Sequence, residues 1–154
     1  MEPVYDARSH VLLLGTMPSP RSREAGFYYA HPQNRFWSVL ASLFDAPVPQ
    51  TAKARRAFAL AHGIALWDVL ARCEIRGADD ASIRRPVAND IAWLLRQAPI
   101  RAIFTTGGKA FSLYQRLCLP QTGISAVLLP STSPANCRMS HETLEQAYAR
   151  ILDA

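Results

Sequence analysis

The chain has 154 residues, of which 49% are hydrophobic and 19% are charged, and its formal net charge is +5. This length is enough for one domain that buries roughly 70% of the surface its unfolded chain exposes, and we expect a single domain over residues 1–154. Three widely spaced cysteines argue against a disulfide framework, and neither they nor the four histidines have metal-ligand spacing. We therefore expect no metal and no cofactor.

Arginine accounts for fifteen of the seventeen basic residues. Arginine makes bidentate contacts to phosphate, and a basic chain attracts polyanions. The bias is also explained by genome composition, and the basic residues are spread along the chain. Charge alone therefore leaves a nucleic-acid partner open. The first residues lack the apolar core of a signal peptide and no stretch reaches the roughly 20 apolar residues of a membrane span, so we expect a cytoplasmic protein without a membrane segment.

Short apolar runs alternate with helical patterns along most of the chain. The alternation predicts an α/β fold, a three-layer sandwich with a central four-stranded parallel sheet flanked by helices on both faces. The predicted strands are residues 11–14, 63–69, 100–105 and 126–129, and the predicted helices are residues 34–44, 52–62, 87–97, 109–117 and 140–152.

Residues 72–85 form the longest polar connection between these elements. We predict a solvated loop there, or a charged rim beside a binding site. Pro86 suits the first turn of the helix that follows. Gly107 and Gly108 allow a sharp turn after the third strand, but the phosphate-loop pattern GxxxxGK[ST] is missing, so we expect no nucleotide there.

A candidate ligand site follows the first strand. The strand breaks into the turn Gly15-Thr16-Met17-Pro18-Ser19, and aromatic and amide residues follow over residues 28–37. Ligands bind at the carboxyl ends of parallel strands, and here an aromatic face, backbone N–H groups and the amide of Asn34 would surround a flat ligand and a water molecule. We expect one of Tyr28 and Tyr29 to pack inward and the other to face the ligand. Alternatively, Asn34 only caps a helix whose aromatic residues belong to the core.

A second candidate element, residues 129–136, comes directly after the fourth strand. In a parallel sheet this loop emerges at the same edge as residues 15–19, so we predict that the two loops converge. The alternative is an ordinary turn-rich loop whose hydroxyl groups bond to their own backbone. A serine hydrolase is not expected, because the chain has no GxSxG motif and no assignable acid.

These motifs resemble those of the uracil-DNA glycosylase superfamily, and most of all its hypoxanthine-DNA (deoxyinosine) glycosylase branch. They are residues 15–19, the segment FYYAHPQNRFW at 27–37, and LPSTSPA at 129–135. The resemblance extends from about residue 10 to residue 152. Mismatch-type uracil glycosylases share the HPxNRFW segment, so it identifies the superfamily better than the base that is removed.

The resemblance implies a metal-free, monofunctional enzyme of base excision repair that acts as a monomer on damaged double- or single-stranded DNA. Such enzymes flip a deaminated base out of the DNA and hydrolyse its N-glycosidic bond. Hypoxanthine is the expected base. A mismatch-type uracil-DNA glycosylase is the alternative, and a non-catalytic DNA-binding module of the same fold is the alternative of another class.

The resemblance also implies roles for individual residues. Met17 stands where mismatch-type relatives carry a polar catalytic residue, and in the hypoxanthine branch the asparagine of HPxN takes that role, which is Asn34 here. The loop segment that relatives insert into the DNA helix has a small side chain here, because Ala135 replaces a larger apolar residue. The other implied roles are base binding by Gly15, Thr16, Met17, Pro18, Ser19 and Tyr29, phosphate contacts by Ser131 and Ser133, insertion into the duplex by Pro134, Ala135 and Asn136, and a strand contact by Arg138.

Overall fold

A computed structural model describes residues 1–77 and 79–154. Its centre is a four-stranded parallel sheet flanked by helices, in which the strands at residues 64–68, 11–15, 102–106 and 126–129 lie side by side in that order. This architecture confirms the predicted α/β sandwich. The four strands, numbered in chain order with the hairpin described below, are β1 (Val11–Gly15), β2 (Ile64–Asp68), β5 (Ala102–Thr106) and β6 (Ala126–Leu129).

β1 lies inside the sheet, and its sequence explains why. Its apolar residues are continuous rather than alternating, which is typical of a parallel strand covered on both faces. Every residue of β1 and β2 is buried. Val11 is in register with Ile64 of β2 on one side and with Ala102 of β5 on the other. The N-terminal segment protects the outer edge of β2, since Val4 and Leu66 exchange two backbone hydrogen bonds of 2.9 Å.

Side-chain caps fix where several helices begin. Ser19, Thr51, Asp90 and Ser140 each accept a hydrogen bond from a backbone amide in the first turn of the helix that follows. The helices in the described residues are α1 (Pro20–Ala25), α2 (Phe36–Leu43), α3 (Ala52–Ala61), α4 (Ile91–Gln97), α5 (Gly108–Leu117), α6 (Leu119–Thr122) and α7 (His141–Tyr148), and α7 continues into a 3-10 helix (Ala149–Asp153). None of them is long and apolar enough to cross a lipid bilayer.

The polar segment predicted as a loop over residues 72–85 is instead an antiparallel hairpin. It consists of β3 (Leu70–Arg76) and β4 (Asp79–Ala88). Cys73 and Ile75 are partly buried, whereas the residues between and beside them are exposed. This alternation of exposed and covered side chains is the pattern of a strand, but the charged residues hide it in a composition-based prediction.

The predicted position of Pro86 at a helix start was also wrong. Pro86 lies in β4, and the next helix begins at Ile91 with Asp90 as its N-cap. A two-stranded hairpin consists only of edge strands, where a residue without an N–H group is tolerated.

Candidate functional site

A cavity of about 340 Å³ opens at the carboxyl edge of the central sheet. Gly15, Asp68 and Thr106 are the last residues of three strands, Ser131 follows the fourth strand by two positions, and all four line the cavity. This is the edge at which parallel α/β sheets bind their ligands. The volume lies in the range of small-molecule sites.

The two loops that the sequence analysis singled out converge on this cavity. Of the predicted site residues, Asn136 and Arg138 are not among its lining: the Asn136 side chain donates to the Ser131 carbonyl at 2.9 Å, and Arg138 is exposed. The predicted residues that line the cavity are Gly15, Thr16, Met17, Pro18, Ser19, Tyr29, Asn34, Ser131, Ser133, Pro134 and Ala135.

Asn34 connects the start of α2 to the second loop, which comprises residues 129–136. Its Oδ1 accepts hydrogen bonds from the Phe36 amide at 2.9 Å and from the Thr132 hydroxyl at 2.8 Å. Two hydrogen bonds occupy both lone pairs of an amide oxygen, so the orientation of the side chain is fixed. The Nδ2 group has no acceptor among residues 1–77 and 79–154. Asn34 therefore has a structural role at the helix start and also brings an unused amide donor to the cavity.

Arg35 ties the second loop down, a role that the sequence analysis did not assign. Its guanidinium donates to the carbonyl oxygens of Met139 at 2.6 Å and Asn136 at 2.9 Å, and its backbone amide donates to Thr132 at 3.1 Å. Three donors from one residue thus fix the loop at both ends. The position of Thr132 against Asn34 depends on this anchoring.

The two adjacent tyrosines both line the cavity, so the expected division into one inward and one cavity-facing ring holds only in that Tyr28 is the more deeply buried. Tyr28 is only 3% exposed, and its hydroxyl donates to the Glu2 carbonyl at 2.6 Å. Tyr29 has a φ of +52°, a backbone conformation that few non-glycine residues adopt. Its ring stacks on Phe36 at a centroid distance of 3.7 Å, and its hydroxyl lies 3.0 Å from Thr106 Oγ1. Burial raises the pKa of Tyr29 well above its usual value, so the hydroxyl stays neutral.

The hydroxyl groups of Ser131 and Ser133 bond to their own loop, as the structural alternative predicts. Ser131 accepts from the Ser133 amide at 3.1 Å, and Ser133 accepts from the Ala135 amide at 3.2 Å. Both hydroxyls act as acceptors in these bonds, so the protons that they can donate are not used there. The loop is stabilised internally while both serines line the cavity.

Asp68 is the cavity residue that the sequence analysis missed. It is 5% exposed, and its Oδ2 has no hydrogen-bond partner among the described residues. Burial raises the pKa of this carboxyl to about 7, an effect that the amino group of Met1 partly opposes. A Cβ atom at Gly15 would lie only 2.7 Å from Asp68 Oδ1, so the glycine leaves the room that the carboxyl needs. The sequence feature that indicates a place for Asp68 in the site is its position as the last residue of a buried strand.

The hairpin forms a further wall of the cavity through Ile75, Gly77 and Asp80. The thiol of Cys73 in the same hairpin donates a hydrogen bond to the Met17 sulfur at 2.9 Å, which joins the hairpin to the first turn, as we call residues 15–19. Within residues 1–77 and 79–154, no three side chains of the histidine, cysteine, aspartate or glutamate type are grouped to hold a metal ion.

Fold and site together define an α/β protein with a cavity at the carboxyl edge of its sheet, and this cavity is lined by the aromatic ring of Tyr29, the amide of Asn34 and the buried carboxyl of Asp68. Comparison with known families agrees, because residues 2–153 match the model of the uracil DNA glycosylase superfamily. The chain therefore belongs to the uracil DNA glycosylase superfamily, whose members hydrolyse N-glycosyl bonds in DNA.

Individual relatives support this assignment. A hypoxanthine DNA glycosylase from Methanosarcina acetivorans is 30% identical over 138 residues, which is 89% of this chain and 87% of the relative. One from Methanosarcina barkeri is 31% identical over 137 residues, which is 88% of this chain and 86% of the relative. A solution NMR structure from Methanosarcina acetivorans, described as a candidate uracil DNA glycosylase, has 28% identity and a TM-score of 0.82 and covers 99% of this chain and 96% of its own.

Proposed function

We propose that this protein is a monofunctional DNA glycosylase that flips a deaminated base, above all hypoxanthine, out of DNA and hydrolyses its N-glycosidic bond in base excision repair. The observation that carries the proposal is the arrangement around Asn34, whose amide is locked by two hydrogen bonds at the wall of a base-sized cavity. The choice of hypoxanthine is supported by the two Methanosarcina relatives.

The chemistry requires little acid or base strength from the protein. As the bond between C1′ and the base breaks, positive charge grows on the sugar and negative charge grows on the base. Catalysis therefore needs hydrogen-bond donors around the base and one water molecule placed at C1′. A cavity with fixed donors and no strong base satisfies these needs.

Asn34 is proposed as the residue that holds the attacking water. Its Oδ1 is fully used by Phe36 and Thr132, so Nδ2 is the group that remains for a ligand. A water that accepts from Nδ2 keeps a second lone pair for C1′. Met17 occupies the first turn but has no group that orients water, so the amide of Asn34 takes this role alone.

The base would lie between the first turn and the ring of Tyr29. The backbone amides of Met17 and Ser19 have no acceptor among the described residues, so they are available to carbonyl or ring-nitrogen acceptors of the base. Hypoxanthine offers O6, N3 and N7 as acceptors, whereas adenine presents a donor at the position of O6. Phe36 stacks on Tyr29 and holds its ring in place against the base.

The DNA strand is proposed to follow the second loop. Ser131 and Ser133 would donate their hydroxyl protons to phosphates beside the flipped nucleotide, and Arg138 would contact the backbone further out. Pro134, Ala135 and Asn136 would occupy the space that the base leaves. Since Ala135 is small, we expect extrusion to depend on a base that is already poorly paired.

Uracil is the second candidate base, because it also presents carbonyl acceptors to donors in the cavity and because the structural neighbour is described as a candidate uracil DNA glycosylase. A module that binds DNA without cleaving it would use the same cavity. These possibilities differ in the products that they yield.

One experiment separates them. Duplexes and single strands with one hypoxanthine, uracil or xanthine are incubated with the protein and then treated with alkali, which breaks the strand only at abasic sites. The proposal predicts strand breaks in the hypoxanthine substrate first. Faster cleavage of uracil would establish the second candidate, and binding without breaks in any substrate would establish a non-catalytic module.

A further inference from the structure

The carboxyl group of Asp68 has no part in the hydrogen bonds described for the fold or in the proposed role of Asn34. Its backbone belongs to the sheet, and its carbonyl accepts from the Asn89 side chain at 2.8 Å. No hydrogen bond or salt bridge to its carboxyl is found within residues 1–77 and 79–154, although the residue is 95% shielded from solvent. A buried polar group without a partner is costly to a fold, which makes an unexplained carboxyl in a cavity a candidate for ligand binding.

Its position places the carboxyl at the floor of the base cavity. Asp68 ends β2, directly beside Gly15 at the end of β1, and the two residues are paired in register. The absent side chain of Gly15 leaves space that borders both groups, because a Cβ atom at Gly15 would lie 2.7 Å from Asp68 Oδ1 and 3.2 Å from the Tyr29 hydroxyl. A base seated on the first turn would therefore meet the carboxyl, the turn amides and the Tyr29 hydroxyl together.

The surroundings favour the uncharged form of this carboxyl. Desolvation disfavours a carboxylate, and no cationic side chain forms an ion pair with it among the described residues. The titratable groups around it are the amino group of Met1, the neutral hydroxyls of Tyr28 and Tyr29, and His31 and Asp80 elsewhere on the cavity wall. Of these, the amino group favours ionisation but only partly opposes the effect of burial.

We propose that Asp68 is a second catalytic residue, which in its protonated form donates a hydrogen bond to the departing base. This inference rests on the proposed glycosylase function and adds the group that takes up the charge on the leaving base. An ionised carboxylate at the same place would repel that charge. A neutral carboxylic acid in an apolar site is a strong donor that needs no cation to hold it.

The reaction balances without any further reagent. The bond between C1′ and the base nitrogen breaks, and its electron pair stays on the base. The oxygen of water bonds to C1′ and releases one proton to solvent. Asp68 keeps its proton throughout and donates a hydrogen bond to the anionic base, and the base takes up one proton from solvent as it leaves as a neutral molecule.

The test is the rate of hypoxanthine excision from duplex DNA in single-turnover experiments from pH 5 to pH 9. For the wild-type protein, we expect a plateau at low pH and a roughly tenfold decrease for each pH unit above the carboxyl pKa. Asp68→Asn keeps a neutral donor at every pH, so its rate should stay level where that of the wild type falls. Asp68→Leu has no donor and should be slower by roughly 10²-fold at low pH.

Two controls keep the outcome decisive. Asp153→Asn removes an exposed carboxylate far along the chain and should follow the wild-type profile, and thermal midpoints show whether each variant is folded. Binding of a duplex with a non-cleavable 2′-fluoro deoxyinosine is measured in parallel and should weaken over the same pH range in the wild type alone.

A level wild-type profile, or the same decline in Asp68→Asn, would overturn the role of Asp68 while leaving the glycosylase function intact. Absence of cleavage in any substrate would instead overturn the function, and the binding profile would then decide whether Asp68 titrates against the base.

Discussion

The Thr132 hydroxyl donates a 2.8 Å hydrogen bond to Asn34 Oδ1 and thereby joins two segments that are 98 residues apart in sequence. Thr132 is only 1% exposed, so this bond is shielded from competing water. Among residues 1–77 and 79–154, the Nδ2 donor is then the one group of the Asn34 amide without a hydrogen-bond partner. Besides its proposed contacts with DNA, the second loop therefore sets the orientation of the residue proposed to hold the attacking water.

The first prediction concerns this hydrogen bond. Thr132→Val keeps the shape of the side chain and removes the donor, so Asn34 loses one of its two restraints. We expect the single-turnover excision rate to fall by roughly tenfold, which corresponds to about 1.4 kcal/mol, the energy of a typical hydrogen bond. Thr132→Ser keeps the donor and should retain most of the rate. Equal rates for the valine and serine variants would show that the bond does not matter for catalysis.

The second prediction concerns the anchoring of the loop by Arg35. Arg35→Ala removes the two guanidinium bonds to Met139 and Asn136. We expect a loss of roughly 1–3 kcal/mol in the free energy of unfolding and a lower excision rate, because the carbonyl groups lose charged donors. Urea unfolding measures the first effect.

Arg138 provides the matched control, since it is an exposed arginine that lies between Asn136 and Met139, the two residues that Arg35 holds. Arg138→Ala should leave the unfolding free energy unchanged, weaken DNA binding, and reduce the slope of log K against log salt by about 1. A stability loss in Arg138→Ala, or none in Arg35→Ala, would contradict this division of roles.

The third prediction separates the two properties of Tyr29. Tyr29→Phe keeps the ring and loses the contact with Thr106, whereas Tyr29→Leu removes the aromatic face altogether. Loss of base stacking should cost roughly 1–3 kcal/mol in binding of a non-cleavable hypoxanthine duplex, and the phenylalanine variant should bind nearly as well as the wild type. Binding is measured by fluorescence anisotropy. If the leucine variant bound equally well, the ring would serve only the core.

The fourth prediction concerns stability and pH. Because the pKa of Asp68 is raised to about 7 in the folded state from 3.8, the folded protein binds more protons than the unfolded chain between these values. The contribution of this group to the free energy of unfolding is therefore present below about pH 4 and decreases as the pH rises towards 7. Its size is on the order of 4 kcal/mol. Asp68→Asn should flatten the profile in this range. If the free energy of unfolding changed by the same amount between pH 4 and pH 7 in the wild type and in Asp68→Asn, the raised pKa would be contradicted.

The sheet and the convergence of the two loops were predictable, because both follow from local patterns. The run at residues 11–14 and the turn after it mark a buried strand and its carboxyl end, and Ala126–Leu129 was predicted with its observed bounds. Parallel strands bring such ends together whatever their separation in sequence. The bonds from Arg35 and Thr132 were not predictable, because they depend on how the loops pack after they meet.

The hairpin and Asp68 were missed for a different reason. The charged residues between Arg72 and Arg85 led to the prediction of a solvated loop. A two-stranded hairpin, however, exposes one side of each strand and tolerates such residues. Asp68 continues an apolar strand, so it was assigned to the strand rather than to the edge. Composition describes how polar a segment is, whereas the site depends on where each strand ends.

The most direct test of the account is the single-turnover excision of hypoxanthine from duplex DNA by Asn34→Ala, with binding of a non-cleavable duplex measured on the same preparation. The account predicts that excision is lost or slowed by at least roughly 10²-fold while DNA binding stays close to that of the wild type. The protein stays folded with a lower thermal midpoint, because the Phe36 amide and the Thr132 hydroxyl lose their acceptor. An unchanged excision rate in a folded Asn34→Ala protein would contradict the central claim that this amide holds the attacking water.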